Sequence, residues 1–375
     1  MLVNNSRCQR LDFIAFWLTL NTIFLLYAFC TDSFGESTKR PLPALDPLTQ
    51  STIDQTVKKA KENLNANFFE QNRQQYVRSR EKAFIWIQNL EMDPIQIQKD
   101  GFKGKKVFAE MLGGYLNFYH LTSDENQKAK AVERVKELKK ITDKPEYHDL
   151  ASVSPTVLQA GSMSYFRVLW IFEKFGLDTS RYRREILKVK DKLDSHLSSR
   201  GLWQRQMFAR YYDVFGLKKP EAIANLTKEQ GMVENRVPAI KYNMDSAYKL
   251  THEVYVAFDY GLETKQTAFS NEDLIYLREI LVALADKYVK EKKSDILGEI
   301  ISNMTYLGFT KEPSYFEAIR FLLQKQNGDG SWGTYKNAEA RYGKYAKQGV
   351  YLHTTTVVIA SLLEAFERWG NMSIS

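Results

Sequence analysis

A chain of 375 residues with 26% charged and 44% hydrophobic side chains has a globular composition, which excludes a disordered tail and leaves ample sequence for a core. Nineteen glycines and nine prolines are too few for a collagenous, linker-rich or turn-dense all-β chain. The 53 basic and 45 acidic residues leave a net charge of +8, which over this length favours anionic surfaces without marking a nucleic-acid binder.

Residues 1–30 have the layout of a signal peptide or signal anchor. Phe13 to Phe29 carries no charge, follows Arg7 and Arg10, and precedes the polar stretch TDSFGESTKRP. At 1.5 Å per residue it reaches about 26 Å, slightly short of the roughly 30 Å hydrocarbon core. Tyr27-Ala28-Phe29-Cys30 is a poor match to a cleavage site, which favours a retained anchor over a cleaved signal. In either case the expected partner of this segment is a membrane. The rest of the chain is then secreted, periplasmic or membrane-anchored outside the cytoplasm. Residues 31–52, with Pro41, Pro43 and Pro47, read as a polar tether, and residues 53–375 as a helical domain.

Within that domain apolar residues recur at three- and four-residue spacing in Tyr76–Leu90, Val107–Leu121, Lys128–Ile141, Val157–Phe175, Tyr182–Leu197 and Trp203–Phe215. The pattern continues in Ala247–Tyr260, Leu274–Tyr288, Ile296–Leu307, Tyr315–Gln326 and Thr355–Trp369. Nothing of similar length alternates with period two, so the fold class is all-α. Lys128–Ile141 and Leu187–Leu197 are rich in charge, whereas Val157–Phe175, Ala247–Tyr260 and Thr355–Leu363 are apolar and aromatic, as outer and buried helices would be.

Five of the apolar helices end in an aromatic-rich turn closed by Gly176, Gly216, Gly261, Gly308 or Gly370, spaced by 40, 45, 47 and 62 residues. A glycine just past a helix closes it in the left-handed conformation, and this spacing fits a repeat of two helices. Such repeats stack openly or close into a ring.

The segment FLLQKQNGDGSWG bears on that choice. Gln326, Gly330 and Trp332 stand in the order Gln-x-x-x-Gly-x-Trp between two helices, and the later one, YLHTTTVVIASLLEAF, is apolar. Here the chain resembles the α/α-toroid proteins of the terpenoid cyclase and protein prenyltransferase type, whose glutamine–tryptophan motif joins an outer to an inner helix. The resemblance covers Tyr315 to Gly370 and extends loosely back to Val157. It implies an α/α-toroid with a central cavity. It does not carry the chemistry, because the sequence has no Asp-x-Asp-Asp acid and no cysteine after Cys30 to join a zinc site.

No HExxH, CxxC, Walker or GxSxG pattern occurs, so no metal or cofactor is named by a local motif. The cofactor stays unknown. Catalytic candidates are His252, Asp259 and His353. Asp245, His252 and Asp259 are seven residues apart in DSAYKLTHEVYVAFDYG and would share one helix stripe with Tyr248 and Tyr255 beside it. An imidazole beside a carboxylate suits acid/base work. Ligand-binding candidates are Asp245, Tyr248, Tyr255, Arg205, Tyr212 and Glu299, polar groups on helices otherwise expected to be buried. Asn225, Asn303 and Asn371 open glycosylation tripeptides, with Asn303 inside a buried helix.

The expected function is binding, and processing, of an extended polar ligand in the cavity: a sugar chain, a peptide or a prenyl-type lipid, with no nucleic acid. A non-catalytic helical-repeat scaffold or protein-binding module is the alternative.

Overall fold

A computed structural model gives the fold and describes residues 47–226, 231–263 and 268–369, with side chains from residue 67 onward apart from residue 369. The expected signal segment, the tether up to residue 46 and Gly370 lie outside the described residues. The chain divides into two units, Met1–Val57 and Lys58–Ser375. Of the first, only the opening turns of a helix are described. The second is all-helical among the described residues.

Helix α1 runs from Pro47 to Gln88, starting within the stretch expected as tether. It is followed by α2 (Pro94–Lys99), α3 (Gly104–Leu121), α4 (Glu125–Thr142), α5 (Pro155–Lys174), α6 (Ser180–Leu197) and α7 (Leu202–Val214). Then come α8 (Glu221–Ala224), α9 (Met244–Ala257), α10 (Asn271–Lys290), α11 (Ser294–Tyr306), α12 (Pro313–Gln324), α13 (Ala338–Tyr342) and α14 (Leu352–Leu363). The helix of α14 continues to Trp369 through a wider π turn.

The apolar helices pack on one another in chain order. Helix α3 lies against α5, α5 against α7, α7 against α9, α9 against α11 and α11 against α14, while α14 also packs on α3. Charged helices stand behind them, α4 on α3, α6 on α5 and α10 on α11. The segregation is visible in single helices. Helix α4 buries only Gln127, Ala131, Val135, Leu138 and Thr142, a stripe at helical spacing. Helix α11 buries ten consecutive residues, Ile296 to Thr305, because it has neighbours on every side.

Gly176, Gly216, Gly261 and Gly308 all take positive φ (67°, 65°, 85° and 76°) just past the helices they close. At the first two the amide after the glycine reaches back to the helix, Leu177 N–H to Phe172 C=O at 3.0 Å and Leu217 N–H to Tyr212 C=O at 2.8 Å.

Helix α1 ties the body's start to its end. The Tyr76 ring stacks on Phe366 at 4.3 Å, and Arg80 Nη1 meets Glu367 Oε1 at 2.7 Å. Tyr76 donates to the same Glu367 oxygen at 2.7 Å. Among the described residues, Lys347–Arg368 is long and apolar enough to cross a membrane, but it is mostly buried against its neighbours, as a core helix is.

Candidate functional site

Helices α3, α5, α7, α9, α11 and α14 all contribute side chains to one cavity, together with the turn after α9. Its interior gives water centres a volume of about 120 Å³. At about 10–15 Å³ per water centre this holds on the order of ten waters, room for a ligand of about one ring. The walls combine aromatic faces (Trp170, Tyr211, Tyr255, Tyr260, Tyr306) with acids, histidines and arginines.

His353 opens α14 and sits between two carboxylates. Its Nδ1 is 3.3 Å from Glu110 Oε1 on α3, and its Nε2 is 3.5 Å from Asp295 Oδ1 on α11. Neither contact is a hydrogen bond, and Asp295 Oδ1 has no hydrogen-bond partner among the described residues, but two carboxylates at ion-pair distance favour the imidazolium form of the ring. The ring is deep in the fold yet keeps 39% of its side-chain surface open where it borders the cavity. Burial opposes the charge, but Asp295, Glu110 and Glu299 outweigh it and lift the pKa from 6.5 to about 9. Glu110 responds in the opposite sense: burial would raise its pKa, and His353, Lys106 and Arg167 hold it below the usual value.

His252, on α9, stands beside Glu299, which is one turn along α11 from Asp295. Its Nδ1 lies 2.8 Å from the Tyr248 carbonyl and 3.5 Å from Glu299 Oε2. A carbonyl only accepts, so Nδ1 carries a proton. The indole of Trp203 lies against the ring at 4.4 Å between centroids. Glu299 is buried and accepts a hydrogen bond from Thr251 Oγ1. Burial pushes its carboxyl pKa up, with His252 pulling it down. Asp295 and Glu299 are four apart, so their Cβ atoms are about 5–6 Å apart and the two histidines flank one acidic turn.

Asp259 comes to the cavity by a different route from the one its spacing implied. Helix α9 ends at Ala257, and Asp259 and Tyr260 both adopt left-handed backbone (φ 47° and 53°). Such conformations cost about 1–3 kcal/mol each in non-glycine residues. They aim the Asp259 carboxylate at Arg210, Nη2 to Oδ2 2.5 Å, and stack Tyr260 on Tyr255 at 5.2 Å. Burial raises the Asp259 pKa, against the pull of Arg210. Glu364, buried on the last helical segment, is raised to about 7, because burial outweighs Arg368, whose Nη1 is 3.1 Å away, and Tyr306.

Of the residues singled out from sequence, His252, Asp259, His353, Tyr255 and Glu299 line this cavity. Tyr248 stands at its edge, donating to Asp295 Oδ2 at 2.5 Å. Asp245, Arg205 and Tyr212 are not among the lining residues. Asp245 lies on the same helix stripe as His252 but at the exposed first turn, away from the cavity: its side chain is 75% exposed and pairs with Lys249 at 2.6 Å, and the helix is capped by Asn243 and Ser246. Tyr212 points outward from α7, where its hydroxyl donates to Asp194 of α6 at 2.7 Å, and its neighbour Tyr211 faces the cavity instead. Asn303 is fully buried, with no surface for a glycan.

The turn motif is structural in each of its parts. Gln326 Nε2 donates to the Gly330 carbonyl at 3.0 Å and to the Ser79 carbonyl of α1 at 2.8 Å. Trp332 is fully buried, its indole N–H reaching the Leu322 carbonyl at 2.7 Å and its backbone N–H the Thr355 hydroxyl at 3.0 Å. Gly330 has φ of 100°, and any Cβ there would stand 2.4 Å from the Lys82 carbonyl oxygen. The motif thus locks α12, α14 and α1 together and touches no ligand site.

Sequence reasoning missed Glu110, Arg167, Glu364 and Arg368. The available signal was a lone charge inside an apolar helix, as in VFAEML and YFRVLW. Among the described residues no group of three or more acidic or imidazole side chains is placed to hold a metal ion.

No curated protein and no solved structure matches the chain. One family model, described as a domain of unknown function (DUF6895), matches residues 88–361, most of the helical body, so the chain belongs to that family.

Proposed function

We propose that the body is an α/α-toroid with α3, α5, α7, α9, α11 and α14 as its inner ring, and that its cavity binds a polar ligand and acts on it by acid/base chemistry. The packing of each inner helix on the next, with α14 against α3, supports the ring, as does the glutamine–tryptophan turn between α12 and α14. The observation that carries the functional reading is His353, an imidazolium held between Glu110 and Asp295 at the cavity wall. A helical scaffold has no use for a charged ring and several acids gathered on inward faces, since burying such groups costs stability.

In this reading the His353 imidazolium orients Glu110 and Asp295, whose oxygens accept from the ligand's hydroxyls, and His252, through Nε2, accepts a proton. Aromatic faces beside carboxylates suit a sugar ring or a peptide better than a bare prenyl chain. The cavity volume takes the end of an extended ligand and leaves the remainder outside. The hydrophobic segment of residues 13–29 delivers this body across a membrane, which the mass of the mature protein from native membranes would test.

Calorimetric screening of the full chain against oligosaccharides, peptides and prenyl lipids tests the binding. We expect a hydroxyl-rich or peptide ligand that binds about tenfold or more weakly to His353→Gln. A ligand held equally by both proteins, or tight binding of prenyl lipids alone, contradicts the reading.

A further inference from the structure

Two guanidinium groups line the cavity, Arg167 on α5 and Arg368 beyond α14. Arg368 is occupied: it bridges Glu364 at 3.1 Å and donates to the Gly261 carbonyl at 2.8 Å. Arg210, just outside, is taken by Asp259. Arg167 makes neither an ion pair nor a hydrogen bond among the described residues. Its one contact of this kind is with the face of Tyr260, 5.5 Å from guanidinium carbon to ring centroid. That ring is the one set in place by the left-handed turn at Asp259 and Tyr260. On the other side, Gly113 of α3 leaves the guanidinium its space, since a Cβ there would stand 3.0 Å from Nη2. An arginine with a supporting aromatic face, a cleared space and unused N–H donors, bordering a cavity, is a built receptor for an oxyanion.

We propose that Arg167 anchors a carboxylate of the ligand, and that the ligand of this cavity is therefore acidic, of the class of sugar acids. The proposal rests on the cavity being the ligand site. The charge balance favours a monoanion. The carboxylates here (Glu110, Asp259, Asp295, Glu299, Glu364) outnumber the cations by one, and Arg167 is the one cation of the four without an ion-pair partner among the described residues, so a single added negative charge, set against its guanidinium, is the most this wall accepts. A carboxylate stays within that limit, whereas a phosphate of about −1.5 to −2 would leave excess negative charge beside Glu110 and Glu299. The position is also useful. Glu110 and Gly113 are three apart on α3, so a carboxylate held at Arg167 sits about one helical turn from the Glu110–His353 pair. An anchored acidic ring would present its hydroxyls to the Glu110 carboxylate of that pair, with its own carboxylate fixing the orientation.

The test is calorimetric titration of the full chain with glucuronate, glucose and glucose 6-phosphate, which share one ring and differ at a single carbon. We expect glucuronate to bind about tenfold or more tightly than glucose, and more tightly than the phosphate. Arg167→Gln should weaken glucuronate by roughly 10- to 100-fold, the worth of a charge-assisted bidentate contact, and leave glucose unchanged. Gly113→Ala, which suits a helix and keeps every charge, should also weaken glucuronate by displacing the guanidinium. Thermal unfolding of both variants confirms that they fold. Equal binding of glucuronate and glucose, undiminished glucuronate binding by Arg167→Gln, or tighter binding of the phosphate would overturn the anchor while leaving the cavity as a ligand site. Failure of all three compounds to bind would overturn the anchor and the cavity reading together.

Discussion

Glu367→Gln probes the junction at which α1 fastens the last helical segment. Glu367 Oε1 receives Arg80 Nη1 and the Tyr76 hydroxyl, each at 2.7 Å, and the side chains of Arg80 and Glu367 are 8% and 3% exposed. The substitution keeps the shape and removes the charge. Arg80 then keeps a neutral amide oxygen as acceptor and only Asp124, at 3.3 Å and 31% exposed, as an ionic partner. Removing one partner of a buried ion pair costs about 3–5 kcal/mol, and the surviving Asp124 contact reduces that to about 2–3 kcal/mol. In a body of this size that lowers Tm by about 3–5 °C. Urea unfolding of wild type, Glu367→Gln, Arg80→Met and the double variant gives a cycle, in which we expect a coupling of about 1–3 kcal/mol. A cost below about 0.5 kcal/mol, or strict additivity, would refute the view that this pair holds α1 to the end of the body.

Three further outcomes follow from the cavity and the turn. The His353 pKa is raised from 6.5 to about 9, so its stabilisation is complete below pH 6.5 and is lost as pH rises through 9. Because the side chain is 39% open, the full conversion is discounted to about 1–2 kcal/mol; the urea-measured stability gap between wild type and His353→Gln should shrink by that amount between pH 6 and 9.5, and a constant gap argues against the ion pairs. Glu364, raised to about 7, costs stability as pH climbs from about 4.5 to 7, so Glu364→Gln should gain about 2–3 kcal/mol on wild type across that window; parallel curves would show its carboxyl titrating normally. Gly330→Ala, with φ of 100° and the Lys82 carbonyl 2.4 Å from the new Cβ, should cost about 2–4 kcal/mol by the same assay, and a neutral result would contradict the turn geometry.

The helices were legible in the sequence because their apolar periodicity and glycine closures are local properties. Val157–Phe175 was expected and Pro155–Lys174 is found, and Gly176 takes the left-handed backbone its position called for. The Gln326–Trp332 turn was legible because its residue spacing is local, although its hydrogen bonds to Ser79 and Thr355 reach other helices. The site was legible only in part. His252 and His353 carry rare, chemically distinctive side chains and were found, whereas Arg167 and Glu110 are charges of a common kind whose meaning comes from which helix they face. Asp259 reached the cavity although the helix stripe that pointed to it stops short of it, because the backbone leaves the helix two residues earlier. Tyr212 and Tyr211 show the limit of a pattern: one step along a helix turns the side chain by about 100° and moves it from the outer layer to the cavity.

The central claim is that the cavity is organised around a charged His353. Histidine-resolved NMR of the ring nitrogens across pH 5 to 10 tests it most directly, with His353→Gln identifying the resonance among the five histidines. The account predicts an imidazolium with both nitrogens protonated at pH 7.5 and a midpoint near 9. A neutral ring at pH 7.5, titrating at or below 6.5, would contradict it.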